Sequence, residues 1–207
     1  WIDDMYMVGS LQMQAYRATG DEKYADRAAR QIHAYIDRLQ QDNGLFYHGP
    51  EFKYHWGRGN GWVASSIAEI IKDLPASNEH YPAILASYKK MMESLLAYQS
   101  DNGLWRQLID NEYSWTETSC SAMFAYAMSI GIERGVLDNS KYAPAVAKAW
   151  EALCWQVNRD GNIRDVCQGT GQTDDVEFYL NRQRITGDFH GQAPFLWLAA
   201  QLAVKVD

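Results

Sequence analysis

Apolar residues recur at three- and four-residue spacing in three separate stretches of the chain. The first carries Tyr24, Ala28, Ile32, Tyr35, Ile36 and Leu39. The second carries Tyr81, Ile84, Leu85, Tyr88, Met91, Met92, Leu95 and Leu96. The third carries Tyr142, Val146, Ala149, Trp150, Leu153 and Val157. Each ladder predicts an amphipathic helix with one buried face. Each is followed by a related turn: Asp42-Asn43-Gly44-Leu45-Phe46, Asp101-Asn102-Gly103-Leu104-Trp105, and the weaker Asp160-Gly161-Asn162-Ile163. The glycines stand 59 and 58 residues apart, so the chain is an internal repeat. The Asn-Gly or Asp-Gly pair is expected to stop the helix, because these residues tolerate the left-handed conformation.

A second kind of segment alternates with the first. Residues 5–18, 62–74, 120–132 and 193–206 are apolar on more than one face and rich in Ala and Ser. Such helices are packed on several sides. Gly20, Pro75 and Gly135 mark short joints. The chain thus reads as hairpins of an inner and an outer helix at 3–40, 60–99 and 117–157, with a further inner helix at 193–206. The segments near Phe46 and Trp105 suit short hairpin-like extensions. Hairpins of this size need neighbours to bury their inner faces, and closing them into a ring supplies neighbours for all. The expected fold is all-α: a single domain over 1–207, an incomplete (α/α)6 barrel of about three and a half hairpins. Six hairpins would need roughly 350 residues. The start at Trp1, not Met, suggests that the N-terminal hairpins are the ones missing; a complete short α-solenoid is the alternative.

Composition narrows the function. The 207 residues carry 19 Lys or Arg against 26 Asp or Glu, a formal charge of −7. No basic stripe suited to nucleic acid appears, and no apolar run approaches a membrane span. Three cysteines, Cys120, Cys154 and Cys167, without C-x-x-C spacing, argue against a disulfide framework or a zinc site. No metal and no cofactor are expected. A reducing compartment fits; bacterial cytoplasm is the expected location and periplasm the alternative.

In a hairpin ring the inner helices begin at one mouth, and their lead-in segments pair aromatic with polar residues. They are Trp1-Ile2-Asp3-Asp4, Trp56-Gly57-Arg58-Gly59-Asn60-Gly61-Trp62, Trp115-Thr116-Glu117-Thr118-Ser119 and Gly187-Asp188-Phe189-His190-Gly191-Gln192. Flat rings beside donors and acceptors suit a sugar. Each has a plainer reading. Asp3 and Asp4 can be helix-start carboxylates. The glycines around Arg58 can be a tight turn. His48 can be a loop histidine, and Glu117 a capping carboxylate. His33 and His80 fall on outer-helix sequence and are expected to have no role.

These segments, the first continuing through Met5-Tyr6-Met7, with Leu45-Phe46-Tyr47-His48-Gly49, Val166-Cys167-Gln168-Gly169-Thr170-Gly171 and Gly187-Asp188-Phe189-His190-Gly191-Gln192-Ala193-Pro194, resemble glycoside hydrolase family 105, the unsaturated rhamnogalacturonyl hydrolases. The resemblance spans the whole chain in order. Family 88, the unsaturated glucuronyl hydrolases, shares the first three motifs more loosely. The resemblance implies an (α/α)6 barrel and a substrate left by a pectin or rhamnogalacturonan lyase, ending in a 4,5-unsaturated galacturonate. It implies hydration of the C4=C5 bond by one carboxylic acid, with Asp3 in that role. It implies substrate contacts from His48, Trp56, Arg58 and Trp62, with His190, Arg182 and Arg184 at the rim. The alternatives are a non-catalytic carbohydrate-binding α/α module and a family 88 enzyme.

Overall fold

The computed structural model describes residues 1–203. The inner helices are α1 (Asp4–Thr19), α3 (Gly57–Asp73), α5 (Thr118–Glu133) and α8 (Phe189–Ala203). The outer helices are α2 (Glu22–Leu39), α4 (Tyr81–Tyr98) and α6 (Asn139–Gln156). A five-residue helix, α7 (Val176–Leu180), lies in the excursion before α8. The inner helices pack side by side in the order α1, α3, α5, α8, with α2, α4 and α6 behind α1, α3 and α5. The two helices inside this row, α3 and α5, are buried on every side along most of their length. Their all-round apolar and small-residue composition follows from that position. At the ends of the row, Met7, Val8 and Leu11 of α1 and Leu196 of α8 are exposed. No described helix is long and apolar enough to cross a membrane.

The sequence expectations need three adjustments. Helix α3 starts at Gly57, five residues before the expected 62, so the glycine-rich segment is helix and not turn. None of Gly57, Gly59 and Gly61 has a positive φ. They are small because neighbours press in: a Cβ would lie 2.9 Å from the Arg106 carbonyl oxygen at Gly57, 2.8 Å from Ile2 at Gly59 and 2.5 Å from the Met123 sulfur at Gly61. The outer helices stop earlier than their Gly turns. Their last caps, Gln40, Gln99 and Val157, are extended, and Gly44, Gly103 and Gly161 sit in the following turn with φ of 85°, 89° and 79°. Finally, α8 begins at Phe189, and residues 204–206 of the expected 193–206 helix lie outside the described residues.

The repeat is structural as well as sequential. After each turn the chain doubles back, with Gln41, Ser100 and Asn158 N–H donating to the Leu45, Leu104 and Asn162 carbonyls at 2.8, 2.9 and 2.9 Å; the second return, β1 (Trp105–Arg106), then pairs with the later β2 (Thr116–Glu117). The first turn of each following inner helix then captures one backbone N–H of this return. Phe46 N–H donates to Asn60 (2.8 Å), Trp105 N–H to Ser121 (2.8 Å) and Ile163 N–H to Gln192 (2.8 Å). These bonds satisfy donors that would otherwise be buried alone, and they lock every return to the mouth where the inner helices start. A further pair, β3 (Val166–Cys167) with β4 (Arg184–Ile185), brackets the excursion carrying α7.

Candidate active site at the inner-helix entrances

Arg58, in the first turn of α3, is the centre of the mouth. It is 1% exposed. Its Nη1 donates to the Cys167 carbonyl, and its Nη2 to the Gln168 carbonyl at 3.1 Å. Its guanidinium also lies 4.9 Å from the Trp56 ring centre. Its positive charge is felt at Asp3, His48 and Asp188, groups from three other parts of the chain. The fold therefore brings together the starts of α1, α3 and α8 with the Gly44 return loop. The β3 strand is held beneath by Glu117, which accepts the Cys167 N–H at 2.9 Å. Glu117 is also the cap of α5, accepting from Ser119 and Cys120 N–H, so its plainer reading as a capping carboxylate holds and extends across to β3.

Asp3 stands at the N-cap position of α1 yet makes no side-chain cap bond. Its carboxyl is half-buried instead among the mouth residues. Burial pushes its pKa above the usual range, against the opposing pulls of a Trp1 hydrogen bond and the Arg58 charge. One carboxyl oxygen, Oδ2, is buried without a protein partner. Asp4, by contrast, is exposed in the first turn of α1.

His48 is fully buried. Its ring meets Trp56 at 4.6 Å and the edge of Trp1 at 6.2 Å. Nδ1 pairs with the Tyr179 hydroxyl at 2.6 Å. Nε2 is buried and unpartnered. Burial first, with the positive charge of Arg58 adding to it, lowers the imidazole pKa to about 3, so the ring is neutral at ordinary pH. Trp56, 2% exposed, also keeps an unpartnered indole N–H. Buried polar atoms are nearly always paired, so three orphans in one cluster mark a place shaped for a polar ligand.

The other expected residues lie around this cluster. Trp62 is one turn further along α3, 6% exposed, packed on Tyr6 (4.9 Å) and near Trp197 (6.3 Å) and His190 (6.4 Å). His190 is exposed, with Nδ1 2.7 Å from Asp188. Arg182 binds the Gly169 carbonyl within the excursion, and Arg184, on β4, lies over Trp115. His33 and His80 pair with one another at 2.8 Å, between α2 and the turn before α4. Among the described residues no group of three or more His, Cys, Asp or Glu is placed to hold a metal ion.

Sequence reasoning missed Tyr179, Tyr6 and Trp197. Tyr179 lies 131 residues from the histidine it contacts. Its only local signal is an aromatic pair, Phe178-Tyr179, inside a polar excursion. Tyr6 and Trp197 sit on inner-helix sequence and look like ordinary core residues until the helices are placed side by side.

Residues 1–204 match the family described as Glycosyl Hydrolase Family 88. The unsaturated 3S-rhamnoglycuronyl hydrolase of Alteromonas sp. is 30% identical over 187 residues, covering 84% of this chain and 45% of that protein. The unsaturated rhamnogalacturonyl hydrolase YesR of Bacillus subtilis is 29% identical over 216 residues, covering 99% of this chain and 60% of its own length. The chain spans about half the length of these curated relatives. The crystal structure of a possible member of family 105 from Salmonella enterica superposes with a TM-score of 0.92 at 22% identity, over 100% of this chain and 57% of that one. Its likeness supports the (α/α)6 fold. With the family match running the length of the described helices, this chain belongs to the glycoside hydrolase family 88/105 group.

Proposed function

We propose that the protein removes a terminal 4,5-unsaturated galacturonate from oligosaccharides produced by pectin or rhamnogalacturonan lyases, with Asp3 as the acid. The observation that carries this reading is the Asp3 carboxyl, raised by burial, with one unpartnered oxygen beside the Arg58 charge. We also propose that the helical row is one arc of a six-hairpin ring. Further helices would then cover the exposed Met7, Val8 and Leu11 face of α1 and Leu196 of α8.

The chemistry needs one group that works in both protonation states. The substrate's C4=C5 bond is conjugated with the ring oxygen as an enol ether. Asp3 in its acid form gives a proton to C4, and positive charge develops at C5 and the ring oxygen. The Asp3 carboxylate then takes a proton from the water that attacks C5. The resulting hemiketal opens and releases the neighbouring sugar. Burial favours the acid form, and the Arg58 charge stabilises the carboxylate left behind, so each step has its support. This differs from ordinary glycosidases, whose two carboxylates flank the bond itself.

Arg58 supplies local positive charge in a chain whose net charge repels an anionic substrate. With both terminal nitrogens on carbonyls, it is proposed to attract the uronate as a fixed charge and not as a free two-pronged clamp. Galacturonate and glucuronate differ only at C4, and a lyase makes that carbon planar. The unsaturated ring is therefore the same from either source. The family 88 alternative then differs in linkage and neighbouring sugar, and the rhamnoglycuronyl hydrolase similarity keeps it a second reading.

The test is Asp3→Asn, followed by loss of the unsaturated-uronate absorbance on pectic and glycosaminoglycan lyase products in parallel. A fall of roughly 10²–10⁴-fold is expected for losing the acid. An Asn variant at full rate rules out Asp3. A wild-type protein that binds these sugars without consuming the chromophore establishes the carbohydrate-binding alternative.

A further inference from the structure

We propose that Tyr179 is a positioning residue that holds His48 in its Nε2–H tautomer, so that His48 meets the uronate as a hydrogen-bond donor and not as a base. The inference rests on the uronate-binding reading of the site given above.

The argument is a count of protons and partners. A neutral imidazole carries one N–H, and a phenol carries one O–H. Their contact at 2.6 Å between Nδ1 and the Tyr179 oxygen holds one proton. If His48 donated from Nδ1, the Tyr179 proton would need another acceptor, and Nε2 would be a bare lone pair. Tyr179 is fully buried, and no hydrogen bond from its hydroxyl to another acceptor is present among the described residues. That arrangement strands two groups. If Tyr179 donates to Nδ1, only the Nε2–H is left without a protein partner, as is found for that atom. Each stranded buried polar group costs about 1–3 kcal/mol, so the second arrangement prevails. Burial raises the phenol to about 12, leaving its proton in place at ordinary pH.

The surroundings are built to keep this contact. The excursion that carries Tyr179 grips the His48 loop twice more. Gln172 Nε2 donates to the His48 carbonyl at 2.6 Å, and the Tyr54 hydroxyl donates to the Asp174 carbonyl at 2.8 Å. The Tyr54 and Tyr179 rings meet at 5.0 Å. The imidazole is therefore fixed at its backbone and at Nδ1 alike, leaving Nε2–H as its one free valence. A uronate brings carboxylate and hydroxyl oxygens, which are acceptors suited to that donor. The same constraint removes His48 as a competing base, so proton transfer is left to Asp3.

Long-range proton–nitrogen correlation spectra of the ¹⁵N-labelled wild-type protein read the tautomer directly. Nδ1 is expected to be bare and Nε2 protonated across neutral pH; a protonated Nδ1 overturns the proposal. Tyr179→Phe is expected to mix the two tautomers and lower kcat/KM about tenfold, the scale of one hydrogen bond. His48→Gln, whose amide reaches the Nε2 position, should lose less kcat/KM than His48→Asn, whose amide stops at the Nδ1 position, and equal losses would count against the donor role. In the His48→Gln background Tyr179→Phe should have no further effect. An equal loss in that background would show a purely structural role and sink the proposal. If the wild type shows the Nε2–H tautomer but never consumes unsaturated uronates, the donor role falls with the functional reading, while the tautomer assignment stands.

Discussion

Replacing Glu117 by Gln is expected to destabilise the fold by about 2 kcal/mol, and replacing it by Ala by about 5 kcal/mol. Glu117 is fully buried. Its carboxylate accepts four hydrogen bonds: from the N–H groups of Ser119 (3.0 Å), Cys120 (2.7 Å) and Cys167 (2.9 Å) and from the Ser119 hydroxyl (2.8 Å). Gln keeps one oxygen and turns an NH₂ toward donors. Its best placement faces Cys120 N–H and the Ser119 hydroxyl, because the hydroxyl can rotate to accept. One backbone donor is then stranded, and the other bonds lose the help of charge, which matches about 2 kcal/mol. Ala removes the helix cap and strands three buried N–H groups, hence the larger figure. For a chain of this size, 1 kcal/mol moves Tm by about 2–4 °C. The expected falls are therefore about 4–8 °C for Gln and about 10–20 °C for Ala, read by scanning calorimetry. A Gln variant melting within about 1 °C of wild type would refute the idea that the carboxylate's charge ties α5 to β3. Because β3 carries the carbonyl that Arg58 grips, the Gln variant should also lose activity at temperatures well below its Tm.

Three further outcomes follow from the site and the repeat. If Asp3 is the acid, kcat/KM falls as pH rises through its raised pKa; a rate that climbs with pH over the same range excludes that role. The same shift bears on stability, since the acid form's contribution is complete below the unfolded value of 3.8 and lost as pH rises through the folded one, so Asp3→Asn should melt higher than wild type at neutral pH. Gly103→Ala should cost about 2–3 kcal/mol and Gly161→Ala about 1 kcal/mol in urea unfolding. Both have positive φ, but only at Gly103 does a Cβ meet backbone, the Lys148 carbonyl oxygen at 2.6 Å, and equal costs would contradict this. Glu69 is held below its usual carboxyl range: burial opposes its charge, but the Tyr126 hydroxyl, Lys72 and Arg17 outweigh burial. It stabilises the fold above about pH 4.5 and loses that contribution as pH falls through the lowered folded value, so Arg17→Gln should shrink the acid-side drop in Tm.

The amino-acid sequence by itself determined the helices, their pairing and their order. Local hydrophobic spacing selects a helix face, and the Asn-Gly turns recur because each return needs a left-handed residue, so both signals are written within a few residues. It also determined which helices would be inner, since a helix packed on every side must be apolar and small-sided all round, as α3 and α5 are. Asp3, His48 and Arg58 were legible as candidates because their motifs are local. Only the tertiary structure decided what these residues touch. Gly57, Gly59 and Gly61 allowed a plain reading as a turn, but their reason is the approach of Arg106, Ile2 and Met123, which no short window contains. Arg58 was expected as a substrate contact, yet its guanidinium is bound to two carbonyls more than a hundred residues away. Tyr179 shows in the sequence only as half of an aromatic pair with Phe178, because a single buried hydroxyl acquires meaning only from the imidazole it meets. Periodicity records how each helix meets its immediate surroundings; the state of a buried polar group depends on partners that folding alone brings together.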